Sequence, residues 1–423
     1  MKLFKNGSLA IGNSADLESA DVLVDDDGLI RATGRELEAD ESTEIIDCGG
    51  CILVPGMFDL HVHSRDPGGE HKETLDTCAA AALHGGVTGM VLMPDTDPPI
   101  DSGNQVKNIH ERAEGIGSLD ILQSGCLTKG RSGEKLAGYS GMVTQGSPLL
   151  TDSGRDVPCP DLLRRAMEYA HDFDILVACF CDTPALTRGG VINEGRASYR
   201  LGLPGAPAIS QEIAIDRNLR VAQNTGARIH IQLPSTAVGA RSLRRAKEDG
   251  AAVSSEVALH HLLFNEEMVT DYDSRFKFDP PLRLPEDCAA LWDALLDDTI
   301  DLITSDHSPH TPFEKSTDFG SAPSGSSSLE TTVLVFHDRF IKTGKCGWNF
   351  LIRKYSDNPR TLIGKEKLSW EEGRRAEFFV FDPESETRLS TDYFKTKSPV
   401  SLFQDETVSG AIRETVIGVQ SFS

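Results

Sequence analysis

Cys51-Ile-Leu-Val-Pro-Gly-Met-Phe-Asp-Leu-His61-Val-His63-Ser-Arg65 is an apolar run of the β-strand type that ends in a His-x-His pair. Because side chains alternate between the faces of a strand, we expect His61 and His63 on one face and Leu60 and Val62 on the other. Two imidazoles beside an Asp and an Arg make a poor hydrophobic core but supply half of a metal site. The alternative is a pair of structural histidines, satisfied by hydrogen bonds at a strand end.

Around this run the sequence alternates between strand, loop and helix. Alternation on this scale favours right-handed β-α-β units with a parallel sheet, and its length favours a closed (β/α)8 barrel over an open sheet. The predicted strands lie at 87–93, 175–178, 228–232, 252–257 and 300–304, and the predicted helices at 104–115, 162–171, 212–225, 235–249 and 288–296.

The sequence at both chain ends follows a different pattern, with short predicted strands separated by turns rich in Gly and Asp. We therefore predict an α/β protein with a TIM-type barrel over residues 56–369 and a small β-sandwich formed from residues 1–55 and 370–423. Residues 321–328 are rich in Ser and Gly and are expected to form a mobile loop.

Composition narrows the classes of partner and the compartment. The formal net charge of −23 argues against nucleic acid or an anionic membrane as a partner. No apolar run is long enough for a membrane span, and the first residues lack the apolar core of a signal peptide. Nine scattered cysteines are typical of free thiols in a reducing compartment. We expect a cytoplasmic protein that acts on a small molecule.

The active site of a barrel lies where its strands run into loops, so polar residues at strand ends are candidates for the chemistry. Asp152 and Asp306 each follow an apolar run, as His61 and His63 do. Two His and two Asp supply four nitrogen and oxygen ligands that suit zinc. A bound zinc ion activates water, and a carboxylate beside it can move the proton to a leaving group, which is the machinery of metal-assisted hydrolysis. Either Asp could instead be a surface turn residue.

Arg65 and His310 are candidates for holding a carboxylate of the substrate through charge-assisted hydrogen bonds. The alternative for Arg65 is a structural salt bridge, for instance to Asp59.

Several motifs in order resemble one family, the cyclic amidohydrolases of the amidohydrolase superfamily, most closely class I dihydroorotases. The matching stretches run over nearly the whole chain, at residues 55–68, 71–73, 85–88, 93–98, 190–195, 200–205, 280–283, 304–310 and 358–359. The resemblance implies the barrel with its sandwich and a dimer or larger homo-oligomer. It also implies zinc-dependent interconversion of dihydroorotate and N-carbamoyl-L-aspartate in pyrimidine biosynthesis.

Residue by residue, the resemblance implies roles for the candidates above. His61 and His63 match ligands of the first metal, Asp152 matches the bridging carboxylate, and Asp306 matches the ligand that also serves as catalytic acid and base. Arg65 and His310 match the groups that hold the substrate carboxylate.

Four positions depart from the family pattern. Cys179 and Leu233 stand where the family has the histidine ligands of a second metal, and leucine cannot coordinate. Cys179 could bind a soft metal together with Cys181. Asp95 and Asp279 replace asparagines that donate hydrogen bonds to the substrate, and an ionised Asp only accepts. At most one metal ion is therefore expected.

Three hypotheses about function remain open. The first is a hydrolase with a single metal on His61, His63, Asp152 and Asp306, acting on dihydroorotate or another cyclic amide. The second is a non-catalytic homologue that serves as a structural partner of aspartate carbamoyltransferase. The third is a hydrolase for a neutral or cationic cyclic amide, because Asp95 and Asp279 favour positive charge.

Overall fold

In the computed structural model, which describes residues 1–117 and 119–423, the chain begins with five strands that belong to one sheet. These strands are β1 (Lys2–Leu9), β2 (Glu18–Val24), β3 (Ile30–Gly34), β4 (Glu44–Asp47) and β5 (Ile52–Pro55). Strands β1, β2 and β3 mix buried and exposed side chains, β4 is largely exposed, and β5, which has a neighbour on each side, is buried throughout.

Parallel strands form the centre of the molecule, and most of their residues are buried on both faces, as helix-covered strands are. They are β6 (Met57–Val62), β7 (Val87–Leu92), β8 (Asp120–Gln123), β9 (Leu149–Thr151), β10 (Leu176–Phe180), β13 (Ile229–Gln232), β14 (Val253–Ala258) and β15 (Leu302–Thr304). Two further short strands, β11 (Ile192–Asn193) and β12 (Gly205–Ala206), pair with each other outside this group.

The parallel strands close into a ring. The series β6-β7-β8 and the series β9-β10-β13-β14-β15 each pair in parallel. A bridge between Gly125 and Leu150 joins β8 to β9, and a bridge between Val62 and His307 joins β15 to β6. The described residues therefore form a closed barrel of eight strands.

Helices follow most barrel strands and cover the outside of the ring. The longer ones are α1 (Leu75–His84), α2 (Gly103–Ile116), α4 (Pro160–Asp172), α7 (Ile209–Thr225), α8 (Ala237–Glu248) and α10 (Pro285–Leu296). The shorter ones are α3 (Tyr139–Thr144), α5 (Pro184–Thr187), α6 (Arg196–Leu201), α9 (Leu259–Leu263), α11 (Pro312–Lys315), α12 (Thr332–Phe336), α13 (Trp348–Ile352) and α14 (Asn358–Leu362). One π-helical turn, His337–Ile341, extends α12, and another, Arg353–Asp357, joins α13 to α14.

The chain returns to the first sheet at its end. Strands β16 (Glu377–Arg388), β17 (Thr407–Ile417) and β18 (Gln420–Phe422) complete an eight-stranded sheet, and β16 pairs with β5. This sheet has its own buried cluster, in which Phe4 of β1 packs edge-on against Phe378 of β16. The predicted fold class, a (β/α)8 barrel with a β-unit built from both chain ends, is confirmed. The division at residues 55/56 and 369/370 stays a prediction.

Asp59 fixes the seam where the barrel closes. Its carboxylate, fully buried, accepts hydrogen bonds from Thr304 Oγ1 (2.6 Å), the backbone N–H of Ser305 (2.9 Å) and the hydroxyl of Tyr355 (2.6 Å). It also accepts from the backbone N–H of His61 (2.9 Å). Asp59 thus ties β6 to the end of β15, and it is not the ion-pair partner of Arg65.

The simple alternation expected around the His-x-His pair is wrong in one respect. Leu60 packs in the cluster inside the barrel, together with Phe58, whereas Val62 packs in the larger cluster under the helices. The pairing of β6 with β7 shifts register between Asp59 and Val62, and such an irregularity interrupts the two-residue period.

No helix among the described residues has both the length and the apolar character needed to cross a membrane.

Candidate metal centre and substrate cavity

A cavity of about 300 Å3 opens at the carboxyl ends of the barrel strands. Its position is the one that the barrel architecture gives to active sites. The side chains that line it come from β6 and β10 and from the loops after β6, β7, β8, β9, β13, β14 and β15. They are His61, His63, Arg65, Asp95, Arg131, Ser153, Arg155, Phe180, Leu233, Asp279, Asp306, Ser308, His310, Pro323 and Ser324, with Gly154 and Gly325.

His61, His63 and Asp306 form a group that could hold a metal ion. Nε2 of His61 and Nε2 of His63 lie 3.9 and 3.8 Å from Oδ1 of Asp306. Among the described residues this is the one group of three or more potential ligands whose atoms all lie within 4.8 Å of one another. The structure thus brings together three of the four ligands proposed from sequence.

The other nitrogen of each imidazole is held by a carboxylate. Nδ1 of His61 bonds to the fully buried Glu256, and Nδ1 of His63 lies 2.7 Å from Oδ1 of Asp95. Burial disfavours a charged ring, but the carboxylates of Glu256 and Asp306 outweigh it and raise the pKa of His61 to about 9. A carboxylate on Nδ1 fixes the tautomer that presents Nε2 to a metal, an arrangement typical of metal-ligating histidines.

Asp152 does not join this group. Its carboxylate turns away from the cavity and accepts hydrogen bonds from the backbone N–H of Thr128 (3.0 Å) and from the Thr128 hydroxyl. The next residue, Ser153, faces the site instead, with Oγ 3.2 Å from Nε2 of His61. Successive side chains in an extended segment point in opposite directions, so one residue decides which of the two reaches the cavity. Burial raises the pKa of Asp152.

Cys179 and Leu233, which stand where the family has histidines, lie in different environments. Leu233 lines the cavity, whereas Cys179 is buried in the cluster between strands and helices, and its neighbour Phe180 reaches the cavity. Burial raises the pKa of the thiols of Cys179 and Cys181, which disfavours the thiolate that a metal needs. The described residues place neither cysteine in a group of potential metal ligands. The structure gives no support to a soft-metal site.

Asp306 also faces His260. Nε2 of His260 lies 3.7 Å from Oδ2 of Asp306 and has no hydrogen-bond partner among the described residues. The ring of His260 stacks on Phe278 with centroids 3.9 Å apart. Burial, with the nearby His261 and His61, lowers the pKa of His260 well below its ordinary value. His260 is therefore a neutral ring beside the second carboxylate oxygen of Asp306.

Arg65 is engaged by its neighbours. Its guanidinium pairs with Asp95 (Nη1 to Oδ2, 3.0 Å) and donates to the hydroxyl of Ser308 and the carbonyl of Pro309 (3.3 Å). Nη2 also lies 3.1 Å from Nε2 of His310. Burial favours the protonated form of Asp95, but His63 and Arg65 outweigh it and hold the pKa of that carboxyl well below its usual range. Asp95 is thus an anion that neutralises Arg65.

His310 lies between two cations. Nδ1 lies 3.2 Å from Nζ of Lys72, and Nε2 lies 2.9 Å from the carbonyl of Ser324. Burial and the charges of Arg65 and Lys72 lower the pKa of His310 to about 2. The ring is neutral, so it offers a substrate a hydrogen bond and no charge.

Asp279 projects into the cavity and is exposed there. The surrounding protein and the carboxylates of Asp182 and Asp306 nevertheless raise the pKa of Asp279 to about 6. This side chain adds negative charge to the cavity near neutral pH.

Hydrogen bonds hold the Ser- and Gly-rich segment over one side of the cavity. Nζ of Lys315 donates to the carbonyls of Pro323 (3.0 Å) and Gly325 (2.9 Å), and the backbone N–H of Ser308 donates to the carbonyl of Ser326 (2.9 Å). A buried lysine thus anchors the part of the segment that lines the cavity, and the mobility of the segment stays a prediction.

Sequence reasoning missed Ser153, Glu256, Arg131 and Arg155. One signal for Glu256 was present, because a Glu inside the buried strand β14 needs a partner. Its second oxygen accepts from Nε2 of His230 (3.2 Å), so His230 supports the site through Glu256. The arginines lie in loops, where spacing gives no signal.

Known proteins resemble this chain along its whole length. The sequence model of the family described as dihydro-orotase-like matches residues 50–237. The dihydroorotase of Carboxydothermus hydrogenoformans is 37% identical over 409 residues, covering 96% of this chain and 94% of that protein. The dihydroorotase of Pelotomaculum thermopropionicum is 35% identical over 417 residues, covering 98% and 97%.

Solved structures share the fold. The L-hydantoinase (dihydropyrimidinase) of Arthrobacter aurescens superposes with a TM-score of 0.85 at 22% identity, covering 99% of this chain and 95% of that chain. The dihydropyrimidinase of Brevibacillus agri superposes with a TM-score of 0.83 at 21% identity, covering 98% and 93%. On the strength of its full-length relatives, this chain belongs to the class I dihydroorotase-like amidohydrolases.

Proposed function

We propose that this protein is a dihydroorotase-like amidohydrolase that works with a single zinc ion on His61, His63 and Asp306. The observation that carries the proposal is the pairing of both imidazoles with carboxylates at Nδ1, which leaves both Nε2 atoms facing Oδ1 of Asp306. The relatives named dihydroorotase support dihydroorotate as the substrate.

The residues present fit a zinc ion. Two imidazole nitrogens and one carboxylate are the donor types that zinc accepts, and three protein ligands leave a position open for a reactant. When bound, the ion would polarise a carbonyl and lower the pKa of water. The hydroxyl of Ser153 lies 3.2 Å from Nε2 of His61, so a neutral group and not the carboxylate of Asp152 faces this side of the site.

Asp306 is the group suited to move the proton. In hydrolysis of a cyclic amide, water adds to the carbonyl carbon, the C–N bond breaks, and a proton from the water must reach the leaving nitrogen. Oδ1 of Asp306 faces the Nε2 atoms of His61 and His63, whereas Oδ2 faces the ring of His260, so Oδ2 is the oxygen placed to carry that proton. Ring closure is the same sequence in reverse, with release of one water.

A second function is favoured by a separate observation. Asp152 is turned away, and Ser153, Cys179 and Leu233 supply no complete second metal site. Loss of several ligands at once is what a non-catalytic homologue would show, and such a protein could serve as a structural partner of aspartate carbamoyltransferase.

Metal content and turnover, measured on the same purified sample, distinguish the zinc hydrolase from the non-catalytic homologue. We expect about one zinc per chain and hydrolysis of dihydroorotate that chelation abolishes. Asp306→Asn should lose turnover and most of the metal, whereas Asp297→Asn, at a surface ion pair with Arg244, should lose neither. A wild-type protein without metal and without turnover would refute the hydrolase, and binding to aspartate carbamoyltransferase would then be the next measurement.

A further inference from the structure

Two arginines of the cavity, Arg131 and Arg155, lie apart from the Arg65 cluster. Arg131 stands in the loop between β8 and α3, and Arg155 follows β9. Arg131 donates from Nε and Nη2 to the carbonyl of Asp152 (3.2 Å each) and from Nη2 to the carbonyl of Ser153. Nη1 of Arg155 donates to the carbonyl of Arg131 (3.2 Å). Both side chains are therefore placed by backbone oxygens.

Neither guanidinium has a counter-ion. Within residues 1–117 and 119–423, no carboxylate lies within ion-pair distance of Arg131 or Arg155, and no side chain accepts from Nη1 of Arg131. Arg65 differs, because Asp95 already neutralises it at 3.0 Å.

The two charges also disfavour each other. Burial is the main cause that lowers the pKa of Arg131, and the charge of Arg155 adds to it, while the carboxylates of Asp95 and Asp152 act in the opposite direction. Like charges held together in a partly enclosed site are relieved by a bound anion.

The position suits a ring that also reaches the metal ligands. Arg131 bonds to the backbone of Ser153, whose hydroxyl lies 3.2 Å from Nε2 of His61. Ser153 therefore lies between Arg131 and the candidate metal centre, and a group bound at Arg131 is inside the same cavity as the metal ligands.

We propose that Arg131 and Arg155 form the subsite for the carboxylate of an anionic cyclic amide, in place of the Arg65 position. The inference rests on the proposed function for its substrate class. Within residues 1–117 and 119–423, Arg155 keeps Nε and Nη2 free for two parallel hydrogen bonds to a carboxylate, and Arg131 keeps Nη1 free for one more. Arg65 would first have to release Asp95.

Equilibrium dialysis tests the assignment without relying on turnover. The purified protein is dialysed against dihydroorotate and against dihydrouracil, which is the same ring without the carboxylate. The variants are Arg131→Gln, Arg155→Gln and the double variant Arg65→Met/Asp95→Asn, which removes both charges of that ion pair and leaves an amide oxygen to accept from Nδ1 of His63. Arg164→Gln, on the exposed face of α4, is the control.

We expect the wild type to prefer dihydroorotate. Arg131→Gln and Arg155→Gln should each weaken dihydroorotate binding by roughly 10- to 100-fold and change dihydrouracil binding by less than about threefold. The double variant at residues 65 and 95 should keep the preference. If the preference for dihydroorotate survives in both glutamine variants and disappears in the double variant, the assignment of the subsite is wrong. The proposed function is not affected by that result. A wild type that binds neither ring would overturn the proposed substrate class and the inference together.

Discussion

Glu256 decides which nitrogen of His61 faces the cavity. It is fully buried in β14 and bonds to His61 on one oxygen and His230 on the other. A buried carboxylate between two imidazoles has no role in a simple hydrophobic core, since burying a charge is costly unless it is paired. Its place behind a candidate ligand is that of a group that orients the ligand and raises its basicity.

Replacing Glu256 by Gln should therefore weaken metal binding. The amide accepts one hydrogen bond but carries no charge, so we expect zinc affinity to fall by roughly 10- to 100-fold. Titration with a competing chelator gives this affinity. The matched control is Glu266→Gln, at another buried carboxylate, which bonds to Asn193 away from the cavity. Equal affinities in wild type and Glu256→Gln would contradict the assigned role.

Conversion to Asn should affect metal binding and stability differently at Asp152 and at Asp306. The carboxylate of Asp152 is held by the backbone N–H and the hydroxyl of Thr128, so Asp152→Asn should keep its metal and lose about 1 kcal/mol of stability. Asp306→Asn should lose most of its metal and keep its stability. Plasma emission and urea unfolding measure the two quantities. Loss of zinc from Asp152→Asn would show that this carboxylate turns toward the metal after all.

Residue types and spacing identified much of this site in advance. The His-x-His pair, Asp306 and Arg65 were predicted because strand ends of a barrel converge on one face. The choice between Asp152 and Ser153 could not be made, because a shift of one residue exchanges the two faces of a strand and neither spacing nor composition fixes it. The engagement of Arg65 by Asp95 depends on loop geometry, which the sequence pattern does not carry.

Elements were predicted more closely than residues. Strands β10, β13 and β14 and helices α4, α7 and α8 lie within three residues of their predicted bounds, because their apolar periods are regular. Composition could not predict the hydrogen bonds from Lys315, in a neighbouring helix, to the backbone of the segment at 321–328.

Glu330 gives one inter-element contact a dependence on pH. It is buried and accepts from the backbone N–H groups of Lys395 and Thr396, which fixes the segment before β17 against the barrel. Burial, together with repulsion from Glu73, raises the pKa of Glu330 to about 8. The folded protein therefore holds this proton up to a higher pH than the unfolded chain does. The stability from the protonated form is full below about pH 4.5 and is lost as the pH rises through 8.

Glu330→Gln should remove this dependence. The amide stays neutral, so the variant should match the wild type near pH 5 and exceed its free energy of unfolding by roughly 1–3 kcal/mol at pH 8. Urea unfolding at the two pH values measures the difference, and Glu366→Gln, at an exposed ion pair with Arg374, is the control. A wild type and variant that lose stability in parallel would contradict a titrating Glu330.

At the scale of the whole molecule, closure of the barrel depends on the buried carboxylate of Asp59. It receives donors from β6, from the end of β15 and from Tyr355 in the π-helical turn that joins α13 to α14. A buried anion with four donors is satisfied, and removal of one donor leaves part of its desolvation cost uncompensated.

Tyr355→Phe tests this seam with the ring volume kept constant. We expect a loss of about 1–3 kcal/mol in the free energy of unfolding, because the phenol hydroxyl is buried and donates to Asp59 at 2.6 Å. Tyr272→Phe is the control, since the hydroxyl of Tyr272 bonds to Leu201 at the surface. Urea unfolding gives both values, and equal losses in the two variants would argue against a special role for the seam.

The sheet that joins both chain ends also sets the order in which the protein can be completed during synthesis. Strands β1 to β5 leave the ribosome first, yet β16, their partner along β5, begins only at Glu377. Apolar side chains such as Phe4 and Val22, which later face Phe378, are left uncovered while the whole barrel is being translated. The nascent chain thus carries an unfinished sheet edge until β16 has been made.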